Sequence, residues 1–96
     1  MKSILQDRKE CWVCKTIQNL HRHHCFGGAN RKHSEKYGLT IWLCGYHHNL
    51  SNEGVHFKKE LDLLVKKTAQ KKFEEIYSHE QFMKIFRFKS YNQNIV

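Results

Sequence analysis

The chain has 96 residues, with 17 Lys and Arg against nine Asp and Glu, which gives a net charge of +8 with neutral histidines. That length suits one domain, residues 1–96, and a domain so small buries too little apolar surface to do without an added staple. No run of about 18 apolar residues exists, which excludes a membrane-spanning helix. The start, MKSILQDRKE, lacks the apolar core of a secretory leader, so a cytoplasmic location is expected. The positive charge reads either as an electrostatic footprint for nucleic acid or as the solvation of lysine-rich helices.

In chain order, Cys11 and Cys14 come first, as a CxxC knuckle. Thr16 to Phe26, TIQNLHRHHCF, is β-compatible and reads as a strand entering a Gly27-Gly28 turn. The polar, basic ANRKHSEKYG reads as a loop. Leu39 to Leu43, LTIWL, has the length and composition of a second strand and ends at Cys44. A helix is expected to begin near Cys44 and to end by Gly54. From Phe57 to Tyr77 the apolar positions Leu61, Leu64, Val65, Ala69, Phe73, Ile76 and Tyr77 recur at helical spacing, supported by an Asp62–Lys66 pair. Ser78 with Gln81 reads as a capping box opening a last helix that buries Phe82, Ile85 and Phe86. Tyr91 onward is expected to cover an edge or fray. The fold class is therefore α+β: residues 11–56 form a zinc-stapled core and residues 57–90 a helical extension packed on it.

Eight histidines are many for this length, and six lie between His21 and His48. With four cysteines in a chain expected in the cytoplasm, that points to metal before disulfides. Cys44 and His47 repeat the x-x spacing of Cys11 and Cys14, so these four supply three thiolates and one imidazole to one structural zinc. A rival set puts Cys25 in place of His47; otherwise Cys25 is a small buried hydrophobe. His23 and His24, adjacent on a strand, point to opposite faces, so one can face a metal and the other a substrate. His48 and Asn52, four apart on a helix, share a face. A strand histidine and this pair converging would make a second, N/O-rich site with open positions, suited to Mg²⁺, Mn²⁺ or another catalytic divalent ion. Phosphodiester hydrolysis is the matching chemistry, with a neutral imidazole deprotonating the attacking water.

The order Cys11-x-x-Cys14, His23-His24 with Gly27-Gly28, and Leu43-Cys44-x-x-His47-His48 resembles the HNH endonucleases, the ββα-metal or His-Me finger nucleases. The phrase HHCFGGANRKHSEKYGLTIWLCGYHHNLSN is similar to small phage and prophage members, and the resemblance covers residues 11 to about 56. It implies a ββα-metal core and DNA cleavage. His24 would be the general base, His23 and His48 ligands of the catalytic ion, and Asn52 the motif's final His or Asn. The family's middle Asn, which orients the base, has no counterpart at Gly38-Leu39-Thr40, leaving Asn30 or the backbone for that role.

His56 is a candidate supplementary ligand or phosphate contact. His21 is expected on the strand surface near phosphate, and His33 and His79 are expected as solvated polar residues. Arg22, Arg31, Lys32 and Lys36 flank the proposed site and have the best claim on phosphates, with Lys84, Arg87 and Lys89 extending the surface. DNA is the expected partner, with no small-molecule cofactor, and a double-strand break would favour a homodimer. Two alternatives compete: a non-catalytic zinc-dependent nucleic-acid-binding module, and an RNA-directed nuclease.

Overall fold

Leu20–His24 (β1) and Thr40–Cys44 (β2) pair antiparallel in the computed structural model of the protein, which describes residues 2–87. Leu20 stands opposite Cys44 and His24 opposite Thr40. Residues paired across a sheet project to one face, so His21 and His23 share a side with Leu43 and Ile41, and Arg22 and His24 share the other with Trp42 and Thr40. The first strand is shorter than the run from Thr16 suggests. Asn19 adopts the left-handed region (φ 53°), which breaks an extended chain, and its carbonyl accepts the Gly45 N–H at 3.0 Å.

The open edge of β2 does not face water. The N-terminal segment runs along it: Trp12 N–H donates to the Trp42 carbonyl at 2.8 Å, and Gln6 Oε1 accepts from Trp42 N–H at 2.8 Å. Backbone groups that would otherwise template another strand are thereby satisfied.

The polar segment after Gly28 is not a loop. A short 3₁₀ turn, Gly28–Asn30, leads into the helix Arg31–Tyr37 (α1). Most of this helix faces solvent, so it shows no apolar stripe for sequence periodicity to detect. Ser34, fully buried, holds it down: its Oγ accepts the Phe26 N–H at 3.0 Å and donates to the Phe26 carbonyl at 2.8 Å. Gly38 ends it in the left-handed region (φ 72°), as helix termini commonly do.

The helix after β2 is only Gly45–His48 (α2). The N–H groups of Asn49 and Leu50 both close onto the Gly45 carbonyl, at 3.1 and 2.9 Å, and the chain then turns back on itself. Val55 N–H donates to the His47 carbonyl at 2.8 Å and His56 N–H to that of His48 at 3.2 Å. Gly54 permits this return, since a Cβ there would lie 2.6 Å from the His48 carbonyl oxygen. The expectation that Gly54 ends a helix carrying His48 and Asn52 on one face is therefore corrected: the helix stops at His48, and Asn52 lies exposed in the turn.

Lys59–Ile76 (α3) and His79–Phe86 (α4) follow, two residues inside the sequence expectation at the start of α3. Gln81 N–H donates to Ser78 Oγ at 3.0 Å, so the Ser78 half of the expected capping box forms. Val65, Ala69 and Phe73 of α3 and Phe82 and Phe86 of α4 are buried with Phe26, Leu39, Ile41 and Leu43 in one core. Burying each of these larger side chains contributes about 2 kcal/mol. Leu64 and Ile76, expected inside, are about half exposed because the α3 stripe that meets the sheet is narrower than the full apolar pattern. Lys89, expected to extend the phosphate surface, and the segment from Tyr91, expected to cover an edge or fray, lie outside the described residues. Among the described residues no helix is long and apolar enough to cross a membrane.

Candidate metal centres

The knuckle Cys11–Cys14, the end of β2 and α2 bring together Cys11, Cys14, Cys44 and His47, whose ligand atoms all lie within 4.8 Å of one another. Their spacing is that of a tetrahedron. A zinc with bonds of about 2.3 Å to sulfur and 2.0–2.1 Å to nitrogen places ligands about 3.8 Å apart for S–S edges and about 3.6 Å for S–N edges. Cys14 Sγ and Cys44 Sγ are 3.8 Å apart, Cys44 Sγ and His47 Nδ1 3.3 Å, and Cys11 Sγ and His47 Nδ1 3.8 Å. Burial alone would raise the Cys11 thiol, but the backbone N–H groups of Cys14, Cys44 and Val13 are directed at its sulfur and bring it down to about 6. A thiol so poised is mostly thiolate at neutral pH, the form that binds metal. Cys25 is buried elsewhere, in the hydrophobic core, and burial pushes its thiol well up. The Cys/His cluster is thus compatible with zinc, with His47 and not Cys25 as its fourth member.

A second cluster lies on the inner face of β1. His23, His48 and His56 offer ring nitrogens within 4.8 Å of one another. His48 Nε2 and His56 Nε2 are 3.1 Å apart, close to the ligand–ligand edge of about 3.0–3.4 Å that bonds of 2.0–2.1 Å to one ion produce. His23 is buried, and its Nε2 has no hydrogen-bond partner among the described residues. An orphaned polar atom in a buried position costs free energy unless something binds it. Burial first, and the neighbouring His48 and His56 rings second, lower His23 to about 3; burial, His56 and His21 lower His48 to about 4. Both imidazoles are therefore neutral at pH 7, with lone pairs available to a cation.

His21, expected as a surface residue, belongs to this cluster: its Nδ1 is 2.9 Å from Nδ1 of His48. With His48 Nε2 turned towards His56, its other nitrogen is held by His21, the arrangement that fixes the tautomer and tilt of a ligating ring. His56 replaces Asn52 in the cluster, and the signal for this was available in Gly54, read as a helix end when it is a hairpin-like return. Asn52 does not line the cavity into which these rings open.

His24 projects to the opposite side, as adjacent strand residues must. Its Nε2 stands 3.6 Å from Glu35 Oε1 on α1. Desolvation, the largest single influence, would raise the Glu35 carboxyl, but Arg22 holds it by both guanidinium nitrogens, one at 2.9 Å, and together with His24 keeps it below its usual carboxylate range. Glu35 carries no signal in the sequence, because the segment that forms α1 has no apolar stripe and reads as a loop. Asn30 sits in the 3₁₀ turn and lines a different groove from His23 and His48.

His23, His24 and His48 line a cavity of about 560 Å³ with Arg22 and Arg31 at its rim. Lys32 lies beside it, and Lys36, four residues on, lines the neighbouring groove with Lys32. His33 packs its ring 5.8 Å from Phe86, and His79 pairs with Glu74 at 2.7 Å, so neither is a merely solvated group. Comparison with protein-family models, curated proteins and solved structures returns no match to this chain.

Proposed function

We propose that the protein is a metal-dependent endonuclease of the HNH type, with β1, β2 and α2 as its ββα-metal core and DNA as its substrate. The observation that carries the reading is His23 Nε2, buried without a partner beside the available nitrogens of His48 and His56, in a cavity rimmed by arginines. His23, His48 and His56 would hold the catalytic ion, with His21 steadying His48. An all-imidazole donor set suits Zn²⁺, Ni²⁺ or Co²⁺ better than Mg²⁺ or Mn²⁺, which favour oxygen ligands. When bound, such an ion neutralises charge developing on the phosphate and on the leaving 3′ oxygen.

The remaining chemistry belongs to the chain. His24 takes the proton of the attacking water, the general-base role that imidazole side chains commonly fill. Glu35, forked by Arg22, stands where it can accept the His24 Nε2–H and so turn Nδ1 towards the water, taking the role the family gives to its middle Asn. Arg31 and Lys32 meet the flanking phosphates. The Cys11, Cys14, Cys44 and His47 site fastens the knuckle to α2 and stays outside the chemistry.

The test is plasmid nicking with each divalent ion in turn, comparing wild type with His24→Ala and Glu35→Gln. Cleavage should require an added transition ion, fall at least about 100-fold in His24→Ala, and fall about tenfold in Glu35→Gln at unchanged metal content. Equal cleavage by wild type and His24→Ala would remove the base. DNA binding without cleavage under any ion would support the binding-module alternative.

A further inference from the structure

Three cavities on this face are joined end to end. The histidine cavity shares His24, Gly28 and Arg31 with a shallower one beside α1, and that one shares Ala29 and Lys32 with a groove between α1 and α4. The groove is lined by Lys32, His33, Lys36, Lys84 and Arg87, and among the described residues no carboxylate lines it. Lys32, Lys36, Lys84 and Arg87 are exposed, and the ion pairs among the described residues do not use them. This contrasts with the wall of the histidine cavity, where Asp62 pairs with Lys66 at 2.9 Å.

Lys36 and Lys84 sit in the last turns of their helices, where a cation favours the helix dipole. That accounts for each singly but not for their gathering in one acid-free groove continuous with the metal centre. Arg87 adds an independent sign. It ends α4 in the left-handed region (φ 54°), a place where glycine is the unstrained choice. A long cation kept at a strained position is expected where the charge has work outside the fold.

We infer that the α1–α4 groove is a binding surface for the phosphate backbone of duplex DNA, leading the substrate away from the histidine cavity. The cations are spaced along two helices, and of the aromatic rings lining the groove among the described residues Phe86 is buried while half-buried His33 and Tyr37 pack edge-on against Phe86 and Phe73, so the groove takes a backbone and not splayed bases. The inference rests on the nuclease reading for the identity of the substrate, but binding without added divalent ion tests it apart from cleavage.

The experiment measures duplex DNA affinity across salt concentrations for the zinc-loaded protein, for Lys84→Gln/Arg87→Gln, and for Lys71→Gln/Lys72→Gln on another surface of α3. The groove variant should bind on the order of tenfold more weakly at 0.1 M salt, with a log–log salt slope reduced by about 1.8, while the control pair leaves both unchanged. Arg87→Gly should lower affinity without lowering the unfolding temperature. An unchanged slope in the groove variant, or an equal loss in the control pair, would overturn the inference, as would tighter binding of duplex RNA than of duplex DNA. If wild type never cleaves but the groove variant still loses its salt slope, the nuclease reading fails and the groove stands.

Discussion

The two Cys/His clusters meet at adjacent residues, His47 in one and His48 in the other, yet are built on opposite principles. The sulfur-rich one draws its four members from two x-x pairs, a set that would fill a tetrahedral zinc and leave no open position. The imidazole one draws its ligands from β1, α2 and the return turn after Gly54, and it opens on a cavity. A closed site can only hold the chain; an open one with a buried, unpartnered nitrogen can also hold a reactant. A single residue step on α2 thus separates the two clusters, since successive helical residues point about 100° apart.

The comparison breaks first at the knuckle. Cys44→Ser should unfold the chain, because the binding free energy of a structural zinc, roughly 10 kcal/mol or more, is folding free energy in so small a domain. Loss of helical circular dichroism together with loss of zinc checks it, and a folded, zinc-free variant would show that the site is not a staple.

His56→Ala should leave the zinc in place and weaken the second ion by about 10–100-fold, whereas Asn52→Ala should match wild type. Isothermal titration of each variant, already loaded with zinc, reads both. A result in which Asn52→Ala is the damaging change would restore the ligand that the sequence motif implies and displace His56.

The smallest effect is on pH. His23 is held down to about 3 against an ordinary 6.5, so below 6.5 the unfolded chain binds a proton that the folded chain does not. Its contribution to stability is complete above 6.5 and is lost as pH falls towards 3, at up to about 1.4 kcal/mol per pH unit. Denaturant midpoints of zinc-loaded protein at pH 7 and pH 5 should therefore fall further in wild type than in His23→Gln. Equal losses would place His23 in water, contrary to its burial.

The legible parts of the molecule were those fixed by short-range spacing. The two x-x pairs, the LTIWL strand, the α3 stripe and the Ser78 cap all announce themselves within a few residues, and each forms. The parts that misled depend on contacts made by the folded chain. α1 is held by Ser34 on the Phe26 backbone, a contact eight residues away that leaves no apolar pattern. The return at Gly54 depends on the closeness of one carbonyl, and it exchanges Asn52 for His56. Glu35 reaches His24 only because α1 exists.

Cobalt titration of the metal-free protein tests the difference between the two centres most directly. The account predicts two equivalents bound per chain: one with intense thiolate-to-cobalt charge-transfer absorption, and a second without it that disappears in His23→Ala. A single equivalent in wild type, or a second one that survives His23→Ala unchanged, would contradict it.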